Sequence, residues 1–208
     1  TKVPSGVDYD MWFGPEPDIP LNINRFHFTF RWFWDYAGGL MTDWGVHLLD
    51  VVLWGMNATI PNRIVSSGGN FAYPNSAMET PDTQQAIFEF PDFTMIWEHA
   101  NGIGLGPYQR SHGIAFIGNN GTLIVDRGGW EVLPEIESEQ GAKKSKVEPV
   151  ERQSAKPGET GLAQHTSNFV NAIRENEKLN CDINVGSSAA INAHMGNVAL
   201  KTRTSLVW

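Results

Sequence analysis

The spacing of apolar residues is helical from Thr42 to about Trp54 and strand-like over much of the chain that follows. Between Thr42 and about Trp54, apolar residues recur every three or four positions, which predicts a helix with one buried face. Thr42 is a residue type that favours the N-cap, so we expect the helix to begin there. The inward-facing set is Val46, Leu49, Val52 and Leu53.

From about residue 62 the pattern becomes strand-like, and turn residues divide the predicted strands. The predicted strands are Arg63–Phe71, Thr83–Phe90, Phe93–Asn101, His112–Ile117, Thr122–Asp126 and Trp130–Leu133. Pro91-Asp92 and the segment Gly118–Gly121 each join two strands as a hairpin would, so the pairing is expected to be antiparallel. Two helices, Leu162–Asn176 and Ser187 to about Thr204, close the chain. The sequence therefore predicts an α+β fold with a large, mostly antiparallel open sheet and helices packed on one face.

Three segments carry no clear periodicity. Residues 1–24 contain several prolines and are expected to be an irregular lead-in. Arg25–Phe33 alternates well enough to predict a short extended piece. Residues 135–160 are rich in Lys, Glu, Pro and Gly, which predicts a surface loop.

Composition limits the possible partners and places. With 208 residues and 41% hydrophobic content, the chain can bury a substantial core, and one domain is the simplest count. A net charge of −8 argues against nucleic acid or an anionic membrane surface as the partner. No apolar run is long enough to predict a membrane span. Cys181 is the only cysteine, and the sequence does not decide between a cytoplasmic and a periplasmic location.

The candidate chemistry lies at the start of the first predicted helix. Asp43 and His47 are four residues apart, so both side chains project from one helical face, and Asp50 extends that face by a turn. A carboxylate beside an imidazole can fix the ring tautomer and raise its basicity, as proton transfer requires. An aromatic block, Trp32–Tyr36, directly precedes the helix and could stack on sugar rings. The same residues could equally form a surface ion pair and a packed core.

The order of these residues resembles a known family. Trp32-x-Trp-Asp-Tyr-x-Gly-Gly39 followed by Asp43-x-Gly-x-His-x-x-Asp50 is similar to the C-terminal domain of the glucose–fructose oxidoreductase, inositol dehydrogenase and rhizopine catabolism (Gfo/Idh/MocA) superfamily. The segment Phe116–Val125, with its Gly-x-x-Gly-Thr-Leu core, resembles a second mark of that family. His165-x-x-Asn-Phe-x-x-Ala-Ile173 resembles a third. Together the marks extend over most of the chain.

The resemblance implies a function for an intact enzyme that oxidises a sugar or cyclitol hydroxyl and passes the hydride to NAD or NADP. His47 matches the histidine that exchanges the hydroxyl proton, and Asp43 matches the acid that orients it or binds substrate. Further residues are expected to contact substrate: Arg31, Trp34, Tyr36, Asp50 and His165. Residues 1–208 would then be the substrate-binding and oligomerisation domain, with a homodimer or homotetramer formed through the sheet.

A cofactor site is not expected within these residues. The nearest match to a dinucleotide fingerprint is Gly102-Ile-Gly-Leu-Gly-Pro107, which lacks the third glycine and should be a loop between strands. By resemblance, the nucleotide-binding Rossmann domain with its catalytic lysine would lie upstream of Thr1, and the fragment alone would be inactive. No tight ligand cluster predicts a metal site.

Two other functions stay open on the sequence. One is an NAD-dependent glycoside hydrolase of the same superfamily, which would release a monosaccharide without net NADH. The other is a non-catalytic carbohydrate-binding or assembly module, which would tolerate His47→Ala. Of the remaining histidines, His165 could face the pocket or be buried, and His194, among apolar neighbours, is expected in the core.

Overall fold

The structure, a computed structural model, describes residues 2–16, 19–139, 141–156 and 161–208. Its regular elements in chain order are α1 (Tyr9–Phe13), α2 (Gly39–Gly55), β1 (Arg63–Gly69), β2 (Thr83–Glu89), β3 (Thr94–Ala100), β4 (Ile114–Ile117), β5 (Gly121–Asp126), β6 (Gly129–Pro134), β7 (Ile136–Glu139), β8 (Ala142–Ser145), β9 (Val150–Ser154), α3 (Leu162–Glu175), α4 (Ile183–Thr202) and β10 (Leu206–Val207).

These elements divide into two compact units. Unit 1 comprises Thr1–Ile103 together with Ile183–Trp208, and unit 2 comprises Gly104–Asp182. The length of the chain had suggested a single domain. No helix within the described ranges is both long and apolar enough to cross a bilayer.

Unit 1 is built on a four-stranded antiparallel sheet with the order β10-β1-β2-β3. The predicted hairpin around Pro91-Asp92 is present, with Phe88 opposite Met95 and Ala86 opposite Trp97. Alternate residues of β2 and β3 are buried, as the period of two in these strands requires. The buried positions of these two strands are Gln84, Ala86, Phe88, Met95, Trp97 and His99.

Helices α2 and α4 pack together and cover this buried face. Met41 of α2 lies against Gly196 of α4 and is completely buried, as is Phe88 of the sheet. Leu49, Leu53, Ala193 and Ala199 belong to the same core. The predicted α+β class, with antiparallel strands, an open sheet face and helices on the other face, is confirmed. The strands are shared between two larger sheets rather than joined in one.

Unit 2 holds the second four-stranded antiparallel sheet, with the order β4-β5-β6-β9, a β7–β8 ribbon and helix α3. The prediction of a loop over residues 135–160 was wrong for half of that range, because β7, β8 and β9 lie within it. The ladder of β7 and β8 pairs Glu137 with Lys144, and most of these residues are exposed. Backbone pairing between charged, solvated residues leaves no apolar alternation for sequence analysis to detect. Gln140 and residues 157–160 lie outside the described residues.

The segment before α2 also differs from its prediction. Residues 25–33 are not extended: short 3-10 helices occupy Ile23–Arg25 and His27–Trp32. Local polar contacts favour these turns, because the Asn22 side chain accepts a hydrogen bond from the backbone N–H of Asn24 (3.0 Å) and the Thr29 hydroxyl donates to the Phe26 carbonyl (3.1 Å). In the lead-in, the Asp8 side chain caps the one-turn helix α1.

Both long helices of unit 1 begin earlier than predicted. Helix α2 begins at Gly39 instead of Thr42, and α4 begins at Ile183 instead of Ser187. A glycine and a β-branched isoleucine are poor signals for a helix start, so sequence analysis placed each boundary at the next hydroxyl residue.

Candidate functional site

The two glycines before the candidate site allow close packing at the start of α2. Gly39 has φ of +63°, which favours glycine, and a Cβ placed on it would lie 2.7 Å from Cβ and Oγ1 of the fully buried Thr80. The Thr42 hydroxyl accepts a hydrogen bond from the Gly38 N–H (2.9 Å) and donates to the Gly39 carbonyl (3.4 Å). Thr42 therefore stabilises the first turn from inside the helix, and it is not the N-cap.

The Gly38 carbonyl is held from the other helix. Asn197 of α4, which is buried, donates its side-chain amide to that oxygen at 2.8 Å. Gly38 and Gly39 thus lie between α4 on one side and the residues before β2 on the other. This packing fixes the direction in which α2 leaves the aromatic block, and so the direction in which Asp43 and His47 project.

Asp43 is paired with an arginine of the preceding segment. Arg31 Nε lies 3.6 Å from Asp43 Oδ2, and the Arg31 guanidinium lies 4.0 Å from the centre of the Phe28 ring. A guanidinium over an aromatic face is held by a cation–π attraction as well as by its carboxylate. Arg31 and Asp43, both predicted from the sequence, are therefore brought into contact, and both remain partly accessible to solvent.

His47 is exposed one turn further along α2, and Asp50 is half-buried on its other side. Burial raises the pKa of the Asp50 carboxyl, and the nearby His47 imidazole acts in the opposite direction. On this helix His47 therefore interacts electrostatically with Asp50, while Asp43 pairs with Arg31. The imidazole itself is open to a ligand approaching from solvent.

Trp34 contributes an aromatic surface in the segment that leads into α2. The ammonium of Lys201, from the end of α4, lies 4.6 Å from the centre of the Trp34 ring. The backbone N–H of Trp34 donates to Glu79 Oε2 at 3.1 Å. Sequence analysis missed Lys201 and Glu79, because each is more than 40 positions from Trp34 along the chain and belongs to no local motif.

Tyr36 belongs to an aromatic cluster. Its ring lies 5.1 Å from that of Trp12, which also contacts Tyr9 and Phe26. Burial, followed by the proximity of Tyr9, raises the pKa of the Tyr36 phenol. The cluster anchors the lead-in beside the aromatic block, so Tyr36 has a packing role whether or not it touches a ligand.

The other histidines have different surroundings. His165 is on α3 in unit 2 and is exposed, contrary to the burial considered from the sequence. His194 is also exposed on α4, so its predicted core position was wrong. His99 is buried: its Nδ1 accepts from the Trp97 indole (3.0 Å), and its Nε2 lies 3.2 Å from the Pro81 carbonyl, to which it donates. These two bonds require a neutral ring, and burial lowers the pKa of His99.

The asparagine of the motif His165-x-x-Asn168 has a structural explanation. Asn168 is buried and donates to Glu177 Oε1 (2.8 Å) and to the Lys178 carbonyl (2.9 Å), and its own side-chain oxygen accepts from the Asn180 N–H (2.9 Å). The side chain therefore closes the turn after α3.

The segment that most resembles a dinucleotide fingerprint, residues 102–107, does not have the geometry of a pyrophosphate site. Residues 102–106 form a loop after β3, as predicted, and lead into the short 3-10 helix Pro107–Gln109. A pyrophosphate site needs a glycine turn that opens a longer helix, whose N–H groups face the phosphates. Within the described ranges, no group of three or more His, Cys, Asp or Glu side chains has the arrangement of a metal site.

Comparison with known proteins finds a family match for the first third of the chain. Residues 1–68 match the family described as "Oxidoreductase family, C-terminal alpha/beta domain", of the Gfo/Idh/MocA group. That range contains the aromatic block, both glycines and the Asp43–Asp50 face. A search of curated proteins gives no significant match.

Solved structures share the fold at low identity. An NAD-binding protein from Listeria innocua has a TM-score of 0.61 at 15% identity, over 86% of this chain and 54% of its own. The WlbA dehydrogenase from Bordetella pertussis, in complex with NADH and UDP-GlcNAcA, has a TM-score of 0.56 at 15% identity, over 84% and 47%. An oxidoreductase from Agrobacterium radiobacter, in complex with NAD+, L-tartaric acid and magnesium, has a TM-score of 0.56 at 11% identity, over 82% and 49%. The chain thus spans about half the length of the structures it matches. The resemblance to the Gfo/Idh/MocA family is confirmed over residues 1–68, which hold the first of the three motifs.

Proposed function

We propose that this chain, a C-terminal domain of the Gfo/Idh/MocA oxidoreductase type, binds the substrate of an NAD(P)-dependent dehydrogenase that oxidises a sugar or cyclitol hydroxyl. The observation that carries the proposal is the solvent-facing side of α2, where His47 is exposed next to the half-buried Asp50 and one turn from the Arg31–Asp43 pair. An imidazole held there can accept a hydroxyl proton through a ring nitrogen, which is the role of a general base.

The neighbouring groups would bind the substrate and stabilise the charge that develops. Asp43, fixed by Arg31 at 3.6 Å, offers carboxylate oxygens to substrate hydroxyls, and Arg31 offers N–H donors. Burial raises the pKa of the Asp50 carboxyl and the nearby His47 imidazole acts against this rise, so Asp50 is the acid that lies beside the proton-transfer group. Trp34 provides an apolar face for the C–H groups of a sugar ring.

Oxidation of a hydroxyl also requires a hydride acceptor, which the described residues do not supply. We propose that a nucleotide-binding domain outside the 208 residues provides it. The support is that this chain spans about half of the matching structures, and that some of these are described with NADH or NAD+ bound. In this arrangement the chain itself binds the polyol, excludes alternative orientations and moves the hydroxyl proton.

The test uses the protein with its nucleotide-binding domain and a panel of sugars and cyclitols, each with NAD+ and NADP+. His47→Ala should lower kcat by about 10²–10⁴-fold, the usual contribution of a general base, with a much smaller change in KM. His194→Ala, which removes an exposed histidine from α4 in the same unit, is the matched control and should leave both constants unchanged. Full activity of His47→Ala would refute the catalytic role of His47. Release of a monosaccharide without net NADH would show that the reaction is glycoside hydrolysis and not oxidation.

We further propose that two copies of the chain meet through the open face of the unit 1 sheet. On that face Val65, Ile87 and Ile96 lie opposite one another across β1, β2 and β3, and Ile96 is 66% exposed. A short apolar row can pack against its own copy about a two-fold axis, which makes the interface self-complementary.

Sedimentation velocity of the chain tests this interface. Ile96→Asp should shift dimers or tetramers towards monomer, because it would bury an unpaired charge in the contact. Ile117→Asp, at a position that is 73% exposed in β4 of unit 2, is the control and should leave the distribution unchanged. If Ile96→Asp leaves the distribution of oligomers unchanged, the open sheet face is not the interface.

A further inference from the structure

The connection between β1 and β2, residues 70–82, is organised around a fully buried carboxylate. Asp82 is 0% exposed and accepts hydrogen bonds from the Phe71 N–H (3.0 Å), the Tyr73 N–H (2.7 Å) and the Thr83 hydroxyl (2.8 Å). Its own N–H donates to the side chain of Asn70 at 2.9 Å. Burial opposes ionisation of Asp82, but the donors outweigh it and lower the pKa of the carboxyl.

Further contacts close the connection into a fixed shape. The Asn70 side chain donates to the Met78 carbonyl at 3.2 Å, which ties the beginning of the connection to its far end. The Asp82 carbonyl accepts from the Asn101 N–H (2.8 Å), and the Pro81 carbonyl accepts from the buried His99. A buried charge with this many partners holds the surrounding backbone in one conformation.

The far end of the connection reaches the aromatic block. The N–H groups of Glu79 and Thr80 both donate to the Trp32 carbonyl, at 2.9 and 3.2 Å. In return, the Trp34 N–H donates to Glu79 Oε2 at 3.1 Å, and Glu79 Oε1 lies 3.5 Å from Arg25. Trp34 is therefore held on its backbone by Glu79 and on its ring by Lys201.

We propose that Glu79, set in place by the Asp82-centred connection, is a positioning residue that orients the Trp34 face on which the sugar stacks. The proposal rests on the proposed function for its substrate. The acid acts through the peptide group between Phe33 and Trp34 and not by touching the reacting atoms. Without Glu79, the Trp34 backbone N–H loses its acceptor, so the backbone that carries the indole is held less firmly. Substrate affinity then falls, while the proton-transfer group on α2 stays in place.

The experiment compares three variants. Glu79→Ala removes the acceptor, whereas Glu79→Gln retains one oxygen that can still accept from the Trp34 N–H. Glu89→Ala is the matched control, because Glu89 also pairs with an arginine (Arg63, 2.8 Å) in unit 1 and its side chain is similarly exposed, 43% against 35% for Glu79. Neither acid has been placed among the catalytic groups.

The first measurement is hydrogen exchange of the Trp34 backbone amide in the 208-residue chain. Exchange should accelerate at least about tenfold in Glu79→Ala, which corresponds to loss of a hydrogen bond to a charged group, and should be close to the unsubstituted rate in Glu79→Gln and Glu89→Ala. An unchanged rate in Glu79→Ala would overturn the proposal without reference to any activity.

The second measurement is steady-state kinetics of the protein with its nucleotide-binding domain, on the best substrate of the panel. Glu79→Ala should raise KM about five- to tenfold and change kcat less than twofold, with Glu79→Gln close to the original KM. An equal loss of kcat, or an unchanged KM with a deprotected Trp34 amide, would exclude positioning. If the unsubstituted protein oxidises no member of the panel, the proposed function fails and the stacking role fails with it, while the exchange result still decides the contact.

Discussion

Gly39→Ala tests whether the close packing at the start of α2 is needed for the fold of unit 1. The residue has φ of +63°, where an alanine costs roughly 1–2 kcal/mol. The new methyl would also lie 2.7 Å from Thr80 Cβ, which is buried and cannot move freely, and overpacking of this kind costs about 1–3 kcal/mol. The reduced freedom of the unfolded chain returns roughly 0.4–1 kcal/mol. The expected net loss in the free energy of unfolding is therefore about 1–5 kcal/mol.

Urea unfolding followed by tryptophan fluorescence measures this loss. Seven of the eight tryptophans lie in unit 1 and only Trp130 lies in unit 2, so the signal reports mainly the unit that contains α2. The midpoint should fall in Gly39→Ala while the slope stays the same, since the exposed area hardly changes.

Two other glycines separate the contributions. Gly6→Ala introduces a methyl at φ of +82° where no atom lies within 4 Å, so it adds strain at positive φ without a new contact. Gly186→Ala is in α4 with neither positive φ nor a close neighbour, and should stabilise the chain by up to about 1 kcal/mol. If Gly39→Ala is no more destabilising than Gly6→Ala, the contact with Thr80 is unimportant and the argument fails.

Two further predictions concern buried polar groups. Asn168→Ala removes three hydrogen bonds and should destabilise the turn after α3 by about 2–3 kcal/mol. The backbone amide of Asn180 should then exchange faster with solvent. An unchanged exchange rate would contradict the proposed turn closure. His99 has a lowered pKa in the folded chain, so the unfolded state binds more protons, and stability should be fully present above about pH 6.5 and fall as the pH decreases towards the folded pKa. Urea midpoints between pH 7.5 and 5.5 should show this loss in the original chain and in His194→Asn, and a loss of the same size in His99→Asn would assign it to other groups.

The parts of the fold that could be predicted have a local signal. Helix α2 shows its apolar period, and the β2–β3 hairpin combines strict alternation with the turn residues Pro91-Asp92. The segment His27–Trp32 gave a misleading signal, because a short run of alternating aromatic residues suits a strand as well as a tight turn. The β7–β8 ribbon gave none, since its paired residues are charged and exposed.

For the candidate site, too, only the residues that are close in sequence could be predicted. Asp43, His47 and Asp50 share one helix, so their spacing was enough to place them on one side of it. The partners that set their surroundings come from distant positions: Glu79 from the connection before β2 and Lys201 from the end of α4. Nothing in the sequence distinguishes Asp82 from an exposed loop acid. Its burial depends on the folded backbone that surrounds it and donates hydrogen bonds to it.

The division of the site among separate segments has a consequence for how its selectivity can change. The residues that would handle the proton are on α2. Trp34 is held from elsewhere, by Glu79 of residues 70–82 on its backbone and by Lys201 at the end of α4 on its ring. Exchange of residues 74–77, which are exposed and precede Glu79, would leave Asp82 and α2 untouched. The fold should therefore tolerate substitutions at those four positions, so the connection that presents Glu79 can vary in sequence independently of the residues on α2.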